Sequence, residues 1–347
     1  MKGKRLKILI IANQFYPIRE TGSAISASNI YNMLKKKHDV DLLIHDKDKY
    51  KPDYVRAGMG KRFLGHNISY LESNYDFEDG EYDIIHQYGG WKKSHLAKET
   101  KSFRDTKVVS TLNGPPPMCF RLEDYNAESS WCCKLPKNFS CVKKESINLP
   151  NVAKNYVYFK LNQYFMRYYD KLFAQSDWIK ELFVKTGVPP EKVKVIGNFY
   201  DPSFYDSIKK LEFKKKKNSK EMKILYVGRL NKSKGVVDLV KAFNLLEKKE
   251  KVKLYLVGSG PLEKELSKTI EKMGLEEKII MTGHVPYDEV IEYYAKSDIF
   301  VHPVKYAREA INRTLLEAGL SKNALVCSDV GTSPEVISDD GLIYKSG

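Results

Sequence analysis

Short apolar runs recur along this chain, and stretches with helical spacing separate them. That alternation restricts the fold more than any single residue does. A strand, a helix and a further strand in succession build parallel sheets with helices on their faces. Residues 6–12 read as the first strand, Gly22-Ser23-Ala24 as a loop, 25–34 as a helix and 39–44 as a second strand. A strand over 82–88 opens into Gly89-Gly90, and another covers 107–112. A second series starts near Met222, with runs at 223–227, 252–257, 279–281, 298–302 and 324–327. Between the two series lies a polar, charged stretch, 206–221, containing Lys214 to Lys217. It reads as a solvated linker. The expected organisation is therefore an α/β chain of two Rossmann-like domains, 1–205 and 222–347, joined by 206–221. A length of 347 residues suits two domains that each bury a core.

Composition narrows the classes. No apolar run approaches the ~18 residues of a membrane-spanning helix. The start, MKGKRLKILIIANQFYP, is basic and then apolar, but the apolar part is short and Tyr16-Pro17 ends it, so it reads as a buried strand. Five cysteines without a secretory signal point to a reducing, cytoplasmic setting. The net charge of +15 fits nucleic acid, an anionic membrane or an anionic substrate, and equally a lysine-rich surface without a partner.

The stretch from Asp298 to Gly319 carries the first chemical signal. A strand leads into a loop around Arg308-Glu309, and Ile311, Leu315, Leu316 and Leu320 then recur at helical spacing. Glu309 and Glu317 lie roughly 10 Å apart along such an axis. Between them falls a helix N-terminus, whose free N–H groups suit phosphate. A diphosphate there would have a sugar on one side and a ribose on the other, each offering hydroxyls to one carboxylate.

Two flanking segments extend the pattern: Tyr226-Val227-Gly228-Arg229-Leu230-Asn231-Lys232-Ser233-Lys234-Gly235 and Ser328-Asp329-Val330-Gly331-Thr332-Ser333-Pro334-Glu335. With Glu309 and Glu317 they resemble the donor domain of the retaining GT-B glycosyltransferases of family 4, over nearly all of 222–343. The first half resembles that family more loosely. The resemblance implies a GT-B fold with two Rossmann-like domains facing each other across a cleft. It implies a retaining, metal-independent hexosyltransferase that needs no cofactor and takes a nucleotide-diphosphate sugar, UDP or GDP, as donor. Arg229 and Lys234 would neutralise the leaving diphosphate, helped by the N–H groups of Ile311, Asn312 and Arg313. Glu309, beside Ala310, would hold the sugar, and Glu317 the ribose. Gly283 and His284 would border the base. The loop with Gly22 and Ser23 would approach the diphosphate. Family members continue past the strand at 341–344 with helices that cross back to the first domain, so 222–347 is expected to lack that final element.

The same resemblance marks departures. The family places an Asp-x-x-His-x-His segment near Asp83, with one histidine near the donor sugar; here His86 is present and Tyr88 stands at the second histidine. His86 reads either as that catalytic histidine or as a core residue. Asn113 replaces another common histidine. Tyr88 and Asn113 are thus the expected acceptor side, with Tyr88 turned outward. Further strands are implied near 171–176 and 195–198. Residues 115–150 fit neither helix nor strand and hold Cys119, Cys132, Cys133 and Cys141, without the spacing of a metal site. Free thiols and a bound zinc both remain readings of that loop. Cys327 falls on a strand and reads as core. Residues 151–173 are aromatic and basic, suiting either a core helix or a helix lying on anionic lipid. The expected acceptor is a glycan or a lipid-linked molecule, and the expected location cytoplasmic, peripheral on the inner membrane face. Two alternatives stand: another GT-B enzyme such as a nucleotide-sugar epimerase or a phosphorylase, and a non-enzymatic basic protein binding membrane or nucleic acid. No nucleic-acid motif supports the latter.

Overall fold

The structure is a computed structural model. It describes residues 4–12, 15–16, 21–44, 62–63, 66–70, 78–89, 96–97, 100–114, 160–161, 163–197, 202–212, 221–247, 250–305 and 312–346. The chain forms two compact units, Met1–Gly197 and Asn198–Gly347.

The first unit holds β1 (Lys7–Ala12), α1 (Gly22–Lys35), β2 (Asp39–Ile44), β3 (Arg62–Phe63), β4 (His66–Tyr70), β5 (Ile84–Tyr88), β6 (Lys107–Leu112), β7 (Lys171–Ala174), α2 (Asp177–Lys185) and β8 (Val193–Val195). The sheet order is β3-β4-β2-β1-β5-β6-β7-β8. Every described pairing is parallel except β3 with β4. Ile8, Ile10, Leu42 and Ile44 are buried in one core cluster with Ala27 and Tyr31 of α1. The winding reverses between β1 and β5, and ligands of open parallel sheets gather at the carboxyl ends of the strands at such a reversal.

The second unit contains α3 (Pro202–Glu212), β9 (Met222–Val227), α4 (Val236–Leu246), β10 (Val252–Val257), α5 (Glu263–Lys272), β11 (Ile279–Gly283), α6 (Tyr287–Lys296), β12 (Ile299–His302), α7 (Arg313–Leu320), β13 (Ala324–Ser328), α8 (Ser333–Ile337) and β14 (Gly341–Tyr344). Its sheet runs β11-β10-β9-β12-β13-β14, all parallel, and reverses between β9 and β12. Those two strands pair only through Ile299↔Ile224 and Phe300↔Leu225. By contrast β10 follows β9 along its whole length. Beyond Phe300 the two central strands leave the ladder, which opens the sheet at its carboxyl edge.

The expected linker is corrected here. Residues 202–212 form a helix of the second unit, not a solvated connection. Phe204, Ile208 and Leu211 fall at the spacing of one helix face and enter the core with Val290, Ile291 and Tyr294. The lysines conceal this, since Lys209 and Lys210 occupy the exposed face. Residues 213–220, with Lys214 to Lys217, lie outside the described residues. Gly22, Ser23 and Ala24 are also corrected, from a loop to the first turn of α1. Thr21 caps that helix, its Oγ1 accepting from the Ala24 N–H at 3.2 Å.

If α3 belongs to the second core, Ile208→Ala should lower its stability by about 2–4 kcal/mol. Lys209→Ala should change it by less than about 0.5 kcal/mol. Urea denaturation followed by tryptophan-independent circular dichroism separates the two outcomes; an equally small effect from both would put α3 outside the core.

Candidate active site

In the second unit, the β9–α4 loop meets the β12–α7 loop. Asn231 caps a short 3-10 turn, Lys232–Lys234, its Oδ1 accepting from the Lys234 N–H (3.1 Å) and the Ser233 hydroxyl (2.8 Å). Gly235 follows at φ +67°. A β-carbon there would lie 1.7 Å from the Pro303 carbonyl oxygen. Glycine is therefore required twice, for the left-handed conformation and for the close approach. The Lys305 N–H donates to the Ser233 carbonyl (2.9 Å), and Lys305 forms an ion pair with Asp238. Lys234 is thus fixed by its backbone beside the loop that leads into α7. Arg229 is exposed at the end of β9, and its guanidinium has no ion-pair partner among the described residues.

Helix α7 starts at Arg313, later than the sequence suggests, with Asn312 as its N-cap. The Asn312 side chain does not cap. Its Nδ2 instead donates to Ser333 Oγ at 2.9 Å, tying α7 to α8, and its Oδ1 is buried without a partner among the described residues. The N–H groups of Arg313 and Thr314 have no acceptor among the described residues. First-turn N–H groups of a helix suit an anion. Of the expected donor set Ile311, Asn312 and Arg313, Arg313 is the first residue of the helix and Asn312 its N-cap. Glu309, Ala310 and Ile311 lie outside the described residues.

Glu317 is in a setting the sequence did not suggest. It is 5% exposed. Its Oε1 accepts from Arg313 Nε (2.6 Å) and from the Tyr287 hydroxyl (3.1 Å), and its Oε2 from the Tyr294 hydroxyl (3.0 Å). Arg313 Nη2 also donates to the Tyr287 oxygen, and the guanidinium lies over the Tyr287 ring, 5.0 Å from its centroid. Phe204 stacks on Tyr287, ring centroids 6.1 Å apart, and meets Tyr294 edge to face at 5.9 Å. Burial, and then the Glu317 carboxylate, raises the pKa of both tyrosines, so they stay hydroxyl donors. For Arg313 burial works most strongly against the charge, but Glu317 and Tyr287 together outweigh it and the net shift is upward. Removing one partner of such a buried pair costs about 3–5 kcal/mol. The Arg313–Glu317 spacing of four was visible in the sequence; the two tyrosines come from α6 and were not.

Gly283 ends β11, its carbonyl accepting from the Gly258 N–H at 2.9 Å, and His284 after it is exposed. Cys327 is buried on β13, and burial followed by nearby Asp329 pushes its thiol up to about 11. It behaves as a core residue.

The first unit gathers a smaller group at its carboxyl edge. Asn113 Nδ2 donates to Ser23 Oγ at 2.8 Å, joining the end of β6 to the start of α1. Gly89, at φ +73°, lies between them, and a β-carbon on it would stand 2.9 Å from Asn113 Nδ2. Gly22 is exposed, with open space where its β-carbon would be. Tyr88 is corrected. It is 2% exposed, in the core with Phe15 and Tyr31, and Gln175 Nε2 donates to its oxygen at 3.5 Å. Strand alternation puts its side chain on the same buried face as His86. His86 is itself buried, with Nε2 2.8 Å from Thr111 Oγ1 and its ring against Phe173, so it takes the core reading. Cys119, Cys132, Cys133 and Cys141 lie outside the described residues. Among the described residues, no cluster of His, Cys, Asp and Glu is arranged to hold a metal ion.

Two doubly wound parallel units, with cations and an open helix start at the second reversal point, define the GT-B class. Residues 21–204 match the family model described as Glycosyltransferase Family 4, and 207–347 match that of Glycosyl transferases group 1. The chain belongs to glycosyltransferase family 4. It is 31% identical over 160 residues to an uncharacterized glycosyltransferase of Methanocaldococcus jannaschii, covering 44% of this chain and 40% of that relative. It is 26% identical over 178 residues to the phosphatidylinositol N-acetylglucosaminyltransferase GPI3 subunit of Saccharomyces cerevisiae, covering 50% and 39%. The chain thus spans well under half the length of these curated relatives. Among solved structures, Anabaena HepE in complex with UDP superposes with a TM-score of 0.68 at 18% identity, over 98% of this chain and 86% of that one.

Gly235 and Gly274 share φ +67°, but only Gly235 faces a neighbour. Gly274→Ala should therefore cost about 1–2 kcal/mol from backbone conformation alone. Gly235→Ala should cost a further ~1–3 kcal/mol from the collision. Equal losses in thermal denaturation would mean that the two loops do not touch.

Proposed function

We propose that this protein transfers a sugar from a nucleotide-diphosphate sugar, UDP- or GDP-linked, to a glycan or lipid-linked acceptor, with retention at the anomeric carbon. The observation that carries this reading is the meeting of the Lys234 loop with the start of the β12–α7 loop at the carboxyl edge of the second sheet, held by Gly235 against Pro303 and by Lys305 on Ser233. As the sugar–phosphate bond breaks, negative charge collects on the diphosphate. Arg229 supplies a bidentate fork, Lys234 a point charge, and the N–H groups of Arg313 and Thr314 fixed dipoles. These cations take the part a divalent ion would otherwise play, so the reaction is read as metal-independent. Glu309 holds the sugar hydroxyls and Glu317 meets the ribose. His284 borders the base. The family match and the likeness to a UDP-bound structure support the donor class. Asn113 is the acceptor-side candidate that remains once Tyr88 is assigned to the core.

Lys234→Ala and Glu309→Ala should each lower transfer by about 100-fold or more, with the fold retained. Transfer from UDP- and GDP-sugars, with proton NMR of the new anomeric bond and an arm containing EDTA, tests the reading. Near-normal turnover in either variant, an inverted product, or loss of activity in EDTA would each sink the corresponding part of it.

The lipid-linked acceptor has its own support. Leu161 and Tyr164 are each 46% exposed, beside exposed Lys160, Arg167 and Lys171. The Arg167 guanidinium lies over the Tyr164 ring, 4.8 Å from its centroid. Exposed aromatic and aliphatic groups among cations suit an anionic lipid surface, whereas Met166 and Tyr169 in the same stretch are core. Pelleting with vesicles containing phosphatidylserine should exceed that with neutral vesicles and fall steeply with salt. Identical pelleting would leave the charge as a solvated surface.

A further inference from the structure

We propose that Arg313 is a specificity-determining residue: with Tyr287 it occupies the Oε1 half of the Glu317 carboxylate, so that the donor's ribose is read through one hydroxyl, at Oε2. The inference rests on the reading of Glu317 as the ribose contact. An ionised carboxylate offers about four acceptor positions, two on each oxygen. Arg313 Nε and the Tyr287 hydroxyl fill both positions on Oε1. The Tyr294 hydroxyl fills one on Oε2. Among the described residues Glu317 has no other donor, so one position is left. Two ribose hydroxyls approaching together need two.

A ribose hydroxyl does not displace the clamp easily. Arg313 and Glu317 side chains are 10% and 7% exposed, so separating them strands a charge away from water. A guanidinium is also a stronger donor to a carboxylate than a neutral hydroxyl. Arg313 is held independently, by its Nη2 bond to Tyr287 and its position over that ring. An aliphatic residue at 313 would leave Oε1 able to accept the second hydroxyl.

Calorimetry on the full chain, with UDP, GDP and ADP and the 2′-deoxy and 3′-deoxy form of each, tests this. For the diphosphate that binds best, one deoxy form should lose about tenfold or more in affinity while the other stays within about twofold. In Arg313→Leu both deoxy forms should weaken against the parent nucleotide. Tyr287→Phe, which keeps the ion pair, should move in the same direction to a smaller extent. If Arg313→Leu does not fold, the wild-type comparison still decides. Loss with both deoxy forms in the wild type overturns the one-hydroxyl inference and leaves the donor-site reading standing. Loss with neither shows that Glu317 does not meet the ribose and overturns the inference. Absence of binding by all three diphosphates overturns the inference together with the donor-site reading beneath it.

Discussion

A β-carbon on residue 235 would lie 1.7 Å from the Pro303 carbonyl oxygen, so the β9–α4 and β12–α7 loops can touch only because that residue is glycine. The contact lies where the sheet reverses its winding and β9 and β12 stop pairing. Strand divergence creates the opening; the glycine lets a lysine-bearing loop cross it. From there the order of the site spreads outward. The Lys305 N–H reaches the Ser233 carbonyl, Ser328 Oγ donates to the Val304 carbonyl at 2.6 Å, and Asn312 Nδ2 reaches Ser333. Loops after three neighbouring strands are thereby tied to one another by short polar contacts rather than by apolar packing.

Behind that surface lies a buried charge network instead of the exposed carboxylate that a ribose contact suggests. Three donors meet the Glu317 side chain, and burial together with that carboxylate holds the two tyrosines as hydroxyl donors. The network also joins α3 to the unit, through Phe204 against Tyr287 and Tyr294. A helix that precedes the second sheet in the chain is thus packed directly under the candidate ribose contact.

The first unit solves a similar geometry with less charge. Ser23, Gly89 and Asn113 come from three elements separated in sequence, yet the parallel order β1-β5-β6 brings them to one edge. His86 and Tyr88, two residues apart on β5, share the inward face beside them and contribute packing.

The sequence by itself determined the two parallel α/β units, because strand and helix periodicity are local properties of the chain. The bounds expected for 39–44, 107–112 and 252–257 match the strands observed. The flanking motifs placed Arg229, Lys234, Asn312 and Glu317 in one unit for the same reason, since strand–loop–helix order puts strand ends at one edge. Local pattern could not decide which way a side chain turns once neighbours compete for it. Tyr88 was expected to turn outward and Glu317 to meet a ribose, and both are buried, one by strand alternation and the other by tyrosines arriving from α6. The lysines of 206–221 likewise read as a linker while Phe204, Ile208 and Leu211 take α3 into the second core. Burial depends on what another element brings to the same place, and only the tertiary structure contains that information.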